Sequence, residues 1–379
     1  MIPKSGYRFS DQIMRKQASP PFRAEHVGSL LRPPSLLALR SADHTDEELR
    51  AAEDAAILDA IRFQEDVGLQ SITDGEFRRE KYFTHFAQAV DGFGRAEGTV
   101  TFHDDSGRPM VYETDVIAGR LSRARGIATD EYAFVHEHTS RTPKATLPSP
   151  GAQHHFRFKP GVSDVAYPDL EELFADLAQI YREELSELAA LGATYVQLDD
   201  VAFALMCDPE HRAQVQAGGA DPDELVARYV RLTNDALAGR PDSLTIGMHL
   251  CRGNNQGKWL GEGGYEPIAE QVFGGLEIDA FFLEYDSERA GGFEPLRHLS
   301  PGATAVLGLV STKTPELERS DDVLRRIEEA SQIVPPERLA ISPQCGFASV
   351  EEGNPVSPDD QRRKLELVVE VAQTVWPGA

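Results

Sequence analysis

The sequence predicts a (β/α)8 TIM barrel with a β-hairpin insertion, and three observations carry that expectation. Eight short strand-like runs are spaced along the 379 residues. Helical patterns of ten or more residues separate most of them, and strands alternating with helices imply a parallel sheet. One grammar recurs, in which an amphipathic helix ends at a glycine and leads into a β-rich run that closes on acidic residues. A doubly wound open sheet would accept the alternation but has no need of eight units, whereas a barrel fits count and length together.

Residues 1–20 are expected to form an arm on a single barrel domain spanning 1–379. The first strand-like run is AEHVGSL at 24–30. Leu49, Ala52, Ala56, Ile57, Ile61 and Phe63 then mark a helical stripe up to Gly68. A glycine there supplies the left-handed turn that feeds the next strand, QSITDG at 70–75. From about 92 to 140 the repeat fails. GTVTFHDDSGRPMVYETDVIAGR reads as a hairpin turning at Asp105-Ser106-Gly107, an insertion able to cover one barrel end. PKATLPS at 143–149 is the third run. Leu170, Leu173, Phe174, Leu177, Tyr181, Leu185 and Leu188 form a second stripe up to Gly192, and TYVQLD at 194–199 follows. The remaining runs lie at 244–251, 280–286, 305–311 and 339–345.

Composition narrows the function. Sixty-two acidic against thirty-eight basic side chains give a formal net charge of −24, which repels nucleic-acid phosphates and anionic membranes alike. No N-terminal run has signal-peptide character, and no apolar run approaches the ~20 residues that span a bilayer, so a cytoplasmic protein is expected. Cys207, Cys251 and Cys345 are too few and scattered for a disulfide framework, and as thiols they invite a metal or catalytic reading.

Catalytic groups of such barrels collect at the C-terminal strand ends. Here those ends carry Ser29, then Asp74 and Glu76, then Asp199 and Asp200, then His249 and Cys251, then Glu284 and Asp286, and last Cys345. In GMHLCRGNN, strand alternation turns His249 and Cys251 to the same face. Plain core packing is one explanation, and a shared metal ion is the other. Zinc takes sulfur, imidazole and carboxylate ligands, so these two with Cys345 and one carboxylate complete a tetrahedron. Ligands this far apart in sequence suit a site built into a stable barrel rather than a small zinc module. Two thiolates cancel the charge of Zn²⁺ and a carboxylate makes the site anionic, a poor way to acidify water. The same site keeps an incoming thiol nucleophilic, which favours thiol alkylation over hydrolysis.

The chain resembles cobalamin-independent methionine synthase in single-barrel form. The motifs are HVGSLLRP at 26–33, DGEFRR at 74–79, YVQLDD at 195–200, HLCRGN at 249–254, FLEYDSERAG at 282–291, LGLVSTKTPELE at 307–318 and SPQCGFAS at 342–349. The resemblance implies a Zn²⁺ site of His249, Cys251, Glu284 and Cys345, with Glu284 yielding to the thiol. It also implies that Gly28 and Ser29 hold the amino-acid carboxylate. Glu76 and Asp199, placed by it among the catalytic residues, would hold the ammonium. The implied activity is methyl transfer to homocysteine, with a small thiol and an alkyl donor as partners, neither nucleic acid nor membrane, and a homo-oligomer left open.

The pattern departs from the family at Asp199-Asp200-Val201, where Asp-Glu-Pro is usual, and at His26. The N-terminal barrel of full-length enzymes is also expected to be lacking. Two other readings stand beside the first: thiol addition to an epoxide, as in epoxyalkane:coenzyme M transferase, and a barrel whose zinc serves only folding or thiol storage. Asp74, Asp200 and Asp286 read first as capping residues or neighbours of the active groups and second as direct contacts, and Cys207 as helix packing. His154 and His155 read as substrate-facing or as surface groups. Arg78, Arg79 and Lys81 read as a donor-binding or a solvated basic cluster, and Lys313 as a partner for substrate charge.

Overall fold

A computed structural model of the chain describes residues 20–97, 102–103, 109–110 and 113–378. Its strands are β1 (Ser71–Ile72), β2 (Val90–Glu97), β3 (Phe102–His103), β4 (Pro109–Met110), β5 (Glu113–Arg123), β6 (Thr142–Pro143), β7 (Ala145–Pro148), β8 (Tyr195–Asp200), β9 (Thr245–Leu250), β10 (Ala280–Glu284), β11 (Thr304–Val310) and β12 (Leu339–Pro343). β7 to β12 form one six-stranded parallel sheet in chain order, and β1 pairs in parallel with β6. β6 and β7 are one bent stave hinged at Lys144, whose N–H donates to Ile72 O at 2.8 Å. Seven of the eight expected runs are therefore strands at their predicted places.

The first run, 24–30, closes the ring without a ladder of its own. Only Ala24 bridges to Ile341 of β12, through paired backbone bonds of 2.9 Å at Glu25 and Arg23. On its other flank side chains replace the missing ladder. Three consecutive carbonyls, those of His26, Val27 and Gly28, accept hydrogen bonds from Lys144 Nζ, Gln197 Nε2 and Thr73 Oγ1. His26 Nε2 lies 3.0 Å from Ser71 O, and Leu30 N donates to Gly75 O at 3.1 Å. A buried carbonyl must find a donor somewhere, and these are supplied across the bore.

Strand alternation sorts the apolar residues into two packing regions. Val196, Leu198, Phe281, Leu283, Leu307 and Ile341 pack outward into the main core with the helices, whereas Tyr195, Ala280, Phe282, Val306 and Ala340 form a separate cluster in the bore. The outer layer includes helices Asp46–Asp66, opened by a Thr45/Glu48 capping box, and Leu170–Ala190, which buries the predicted stripe from Leu173 to Leu188. Pro358–Val375 completes the ring, opened by a Ser357/Asp360 box.

The insertion is the expected antiparallel ribbon, with β2 paired to β5 and β3 to β4. Its base packs Ile117 and Leu121 into the main core, beside the helix Leu170–Ala190. Its turn at Asp105-Ser106-Gly107 and the arm at 1–19 lie outside the described residues. Residues Thr129–His138, within the range assigned to the insertion, form a helix that buries Tyr132 and Val135. No helix among the described residues is long and apolar enough to cross a membrane.

Gly308 marks a tight point between β10, β11 and the end of β12. The β11–β12 register shifts between Gly308 and Val310, and a Cβ on Gly308 would lie 2.6 Å from Gln344 Cα and 2.7 Å from Leu283 O. Backbone cannot yield as a flexible side chain can. Gly308→Ala is expected to cost about 2–3 kcal/mol of stability, read as a lowered denaturation midpoint at unchanged slope.

Candidate metal centre

β9, β10 and the loop after β12 bring four side chains to one end of the bore. The ligand atoms of His249, Cys251, Glu284 and Cys345 all lie within 4.8 Å of one another, and all four residues are buried. The sulfurs of Cys251 and Cys345 are 3.6 Å apart, too far for a disulfide. They are near the edge of a tetrahedron with metal–sulfur bonds of about 2.3 Å, which is roughly 3.8 Å. Neither ring nitrogen of His249 meets a hydrogen-bond partner of regular geometry. Two thiols and an imidazole buried against a carboxylate would be costly with nothing to bind them, and a borderline-soft divalent cation satisfies all four at once. The donor set therefore fits a metal ion.

The surroundings hold this group firmly. Glu284 takes Arg252 N at 2.6 Å on one oxygen and Lys313 Nζ at 3.0 Å on the other. Its own N–H donates to Tyr265 Oη at 2.9 Å, and the Arg252 guanidinium lies over that ring at 4.4 Å. The loop carrying Cys345 is pinned through Gly346 O, which accepts from Asn254 and Thr312, each at 3.0 Å. Burial lowers the His249 pKa, but Cys345, Asp199 and Glu284 outweigh it and raise it to about 9.

A second polar group sits alongside. Asp199 is the register partner of His249 across the β8–β9 pair. Glu76 follows a tight turn in which Gly75 has φ 69° and Glu76 itself φ 62°, a left-handed conformation costly for a side-chain-bearing residue. The Asp74 carboxylate steadies that turn by accepting Glu76 N at 2.9 Å. One Glu76 oxygen accepts from Thr146 Oγ1 at 3.1 Å, with Arg79 at 3.5 Å, while the other is buried without a partner. Burial raises the Glu76 carboxyl, against the pull of Arg79. Asp199 is pushed up to about 7 by burial and then by the neighbouring charge of Glu76. Gly28 packs against Thr146 and Glu76: a Cβ there would meet them at 3.0 Å and 3.3 Å, and its φ of 144° also favours glycine. Ser29 touches the metal-side loop, accepting Ala348 N at 3.4 Å on its hydroxyl and Phe347 N at 3.0 Å on its carbonyl.

Residues 32–374 match the family model described as "Cobalamin-independent synthase, Catalytic domain". The chain belongs to this family. It is 40% identical over 374 residues to the Bacillus subtilis (strain 168) protein YxjH, covering 96% of this chain and 97% of that one. A methionine synthase of Pyrococcus abyssi is 28% identical over 327 residues, 85% of each chain. The solved structure of a candidate vitamin-B12-independent methionine synthase from Listeria monocytogenes superposes with a TM-score of 0.74 at 33% identity, covering 94% of this chain and 99% of that one.

Among the other residues singled out in this synthase-family chain, several have structural partners. Asp200 accepts Phe203 N at 2.6 Å and the Ser149 hydroxyl, and Asp286 accepts Ser311 Oγ at 2.9 Å. Cys207 is buried in the main core. His154 bonds Tyr229 Oη at 2.7 Å, and burial draws His154 down to about 4 and His155, helped by His211, to about 3. The basic trio divides: Arg78 pairs with Asp54 and Glu53, Arg79 is buried against Glu131 and Thr146, and Lys81 is exposed. Lys313 faces Glu284. Sequence reasoning missed Thr146, Gln197 and Lys144 behind the second polar group, and the apolar wall of Val201, Leu205, Tyr82, Phe156 and Leu260 beside the two cysteines. Their one signal is strand phase: Gln197 shares the face of Asp199, and Thr146 that of Lys144.

Proposed function

We propose that this chain is a zinc-dependent S-methyltransferase that methylates homocysteine, a reaction of the 5-methyltetrahydropteroyltriglutamate–homocysteine type. Membership of the synthase family supports the reaction class. The observation that carries the acceptor is the buried, partnerless oxygen of Glu76 beside Asp199, a place for an ammonium within reach of a metal-binding group. His249, Cys251, Glu284 and Cys345 would hold the zinc, which when bound supplies the acidity that turns a thiol into a thiolate nucleophile. Glu76 and Asp199 bind the ammonium of the acceptor, and Gly28 and Ser29 its carboxylate. Anchoring both ends of the amino acid fixes the direction of its sulfur, which makes the transfer effectively unimolecular. Lys313 and the Arg252 amide give both Glu284 oxygens partners, so that this carboxylate stays satisfied whether or not it ligates. The wall of Val201, Leu205 and Tyr82 excludes water from the sulfur flank and suits a small alkyl group in transit.

X-ray absorption at the zinc edge, with homocysteine and with coenzyme M, tests the proposal. A new sulfur neighbour with homocysteine, together with methionine formed from 5-methyltetrahydropteroyltriglutamate, is the expected result. A fully zinc-loaded protein that takes coenzyme M but not homocysteine would overturn it in favour of epoxide opening, because a sulfonate gives Glu76 and Asp199 no ammonium to hold.

A further inference from the structure

Within the bore, behind Asp199, lies an ion pair to which the chemistry above gives no task. Glu25 and Lys144 have fully buried side chains, with Nζ 3.4 Å from Oε2. The ammonium lies 4.9 Å from the Phe282 ring centroid and 5.5 Å from that of Tyr195. Glu25 is satisfied in turn by Phe22 N at 2.9 Å, Tyr195 Oη at 3.0 Å and Ser71 Oγ at 2.7 Å. Stability alone is a weak reason for such a pair, since desolvating two charges offsets most of their attraction and apolar replacements often do as well. What distinguishes this pair is where the lysine's other bonds lead.

Lys144 donates to His26 O and, at 3.0 Å, to Gln197 Oε1. A carboxamide has one accepting end and one donating end, so an ammonium on its oxygen dictates which way its NH₂ points. That NH₂ donates to Asp199 Oδ1 at 2.8 Å and to Val27 O. A carboxamide turned the other way would set oxygen against oxygen at Asp199. Thus one cation governs both sides of the pocket. Through Gln197 it orients the Asp199 carboxylate, and through the carbonyls of His26 and Val27 it places the segment that runs directly into Gly28 and Ser29.

We infer that Lys144 is a positioning residue for the amino-acid end of the acceptor, acting through Gln197 and the 26–27 carbonyls, and that it selects thiols bearing an ammonium and a carboxylate over plain alkanethiols. The inference rests on the reading that Asp199, Glu76, Gly28 and Ser29 hold those two groups. Lys144 touches neither acceptor nor metal.

Two variants of the full-length, zinc-loaded protein test it. Gln197→Met keeps the volume and cuts the link to Asp199. The Glu25→Gln/Lys144→Met pair removes both charges together, so that neither is left unpaired in the bore. The readouts are zinc content and calorimetric Kd for homocysteine and for 1-butanethiol. Both variants are expected to keep one equivalent of zinc and the wild-type Kd for butanethiol, and to weaken homocysteine about tenfold or more. Combining all three changes should add little, since they interrupt one chain of contacts.

Asp199→Asn, measured alongside, separates the two levels of the argument. If it too leaves homocysteine affinity unchanged, the ammonium reading itself fails. If it weakens homocysteine while Gln197→Met and the double variant bind it as wild type does, Lys144 only supports the fold and the inference is overturned. Should the double variant not fold, the homocysteine-to-butanethiol ratio of Gln197→Met decides alone.

Discussion

Cys345→Ala is expected to empty the metal centre. The sulfur it removes is one of two that face each other at 3.6 Å, and the remaining imidazole, thiol and carboxylate leave a metal ion one strong donor short. Zinc measured after dialysis should fall well below one equivalent, and methyl transfer should drop by at least about a hundredfold, since even outer-sphere changes at metal sites cost 10–100-fold. Cys207→Ala is the matched control. That thiol is equally buried but belongs to the main core, so its loss should cost at most about 1–2 kcal/mol of stability and no metal. Equal zinc in both variants would place the ion somewhere other than these four residues.

Glu76→Gln should act on the acceptor instead. The carboxylate has one oxygen held by Thr146 and the other buried without a partner, and the amide would turn an NH₂ toward the expected ammonium. Losing a charge-assisted hydrogen bond, worth about 1.5–3 kcal/mol, predicts a homocysteine Kd some ten- to a hundredfold weaker with zinc unchanged. A pH series adds a second reading. Asp199 is raised to about 7, first by burial and then by Glu76, so lowering the pH through that value protonates it and removes its attraction for an ammonium. Homocysteine should therefore bind progressively worse below pH 7, relative to butanethiol, whose own thiol chemistry cancels in the ratio. Removing the like charge in Glu76→Gln should move that limb to lower pH. A ratio that stays flat from pH 5 to 8 would count against Asp199 as an ammonium anchor.

Much of this was legible because strand chemistry is local. Seven staves are short runs rich in apolar residues, five of them ending in acids or metal ligands, and period-two alternation suffices to aim His249 and Cys251 together. What stayed hidden depends on partners brought together by closure. Nothing near Arg79 announces that Glu131 and Thr146 will enclose it, so it read as one of three residues in a donor-binding or solvated basic cluster. Lys313 read as a contact for substrate, while its charge goes to Glu284, 29 residues earlier. The 24–30 run has the composition of a strand yet makes a single bridge, because its carbonyls turn to side chains from three other staves, a choice that propensity does not encode.

That last arrangement makes recognition and closure the same joint. The side chains that fasten the opening segment to its neighbours stand directly behind the carboxylate expected to grip the incoming amino acid, so occupancy and integrity of the cylinder are thermodynamically linked on this flank. Retooling it for a different nucleophile would loosen the clasp as well as change the preference. The hydrophobic wall around Val201 and Leu205 contributes no side chain to that clasp, so a change of alkyl source there would not unfasten the ring.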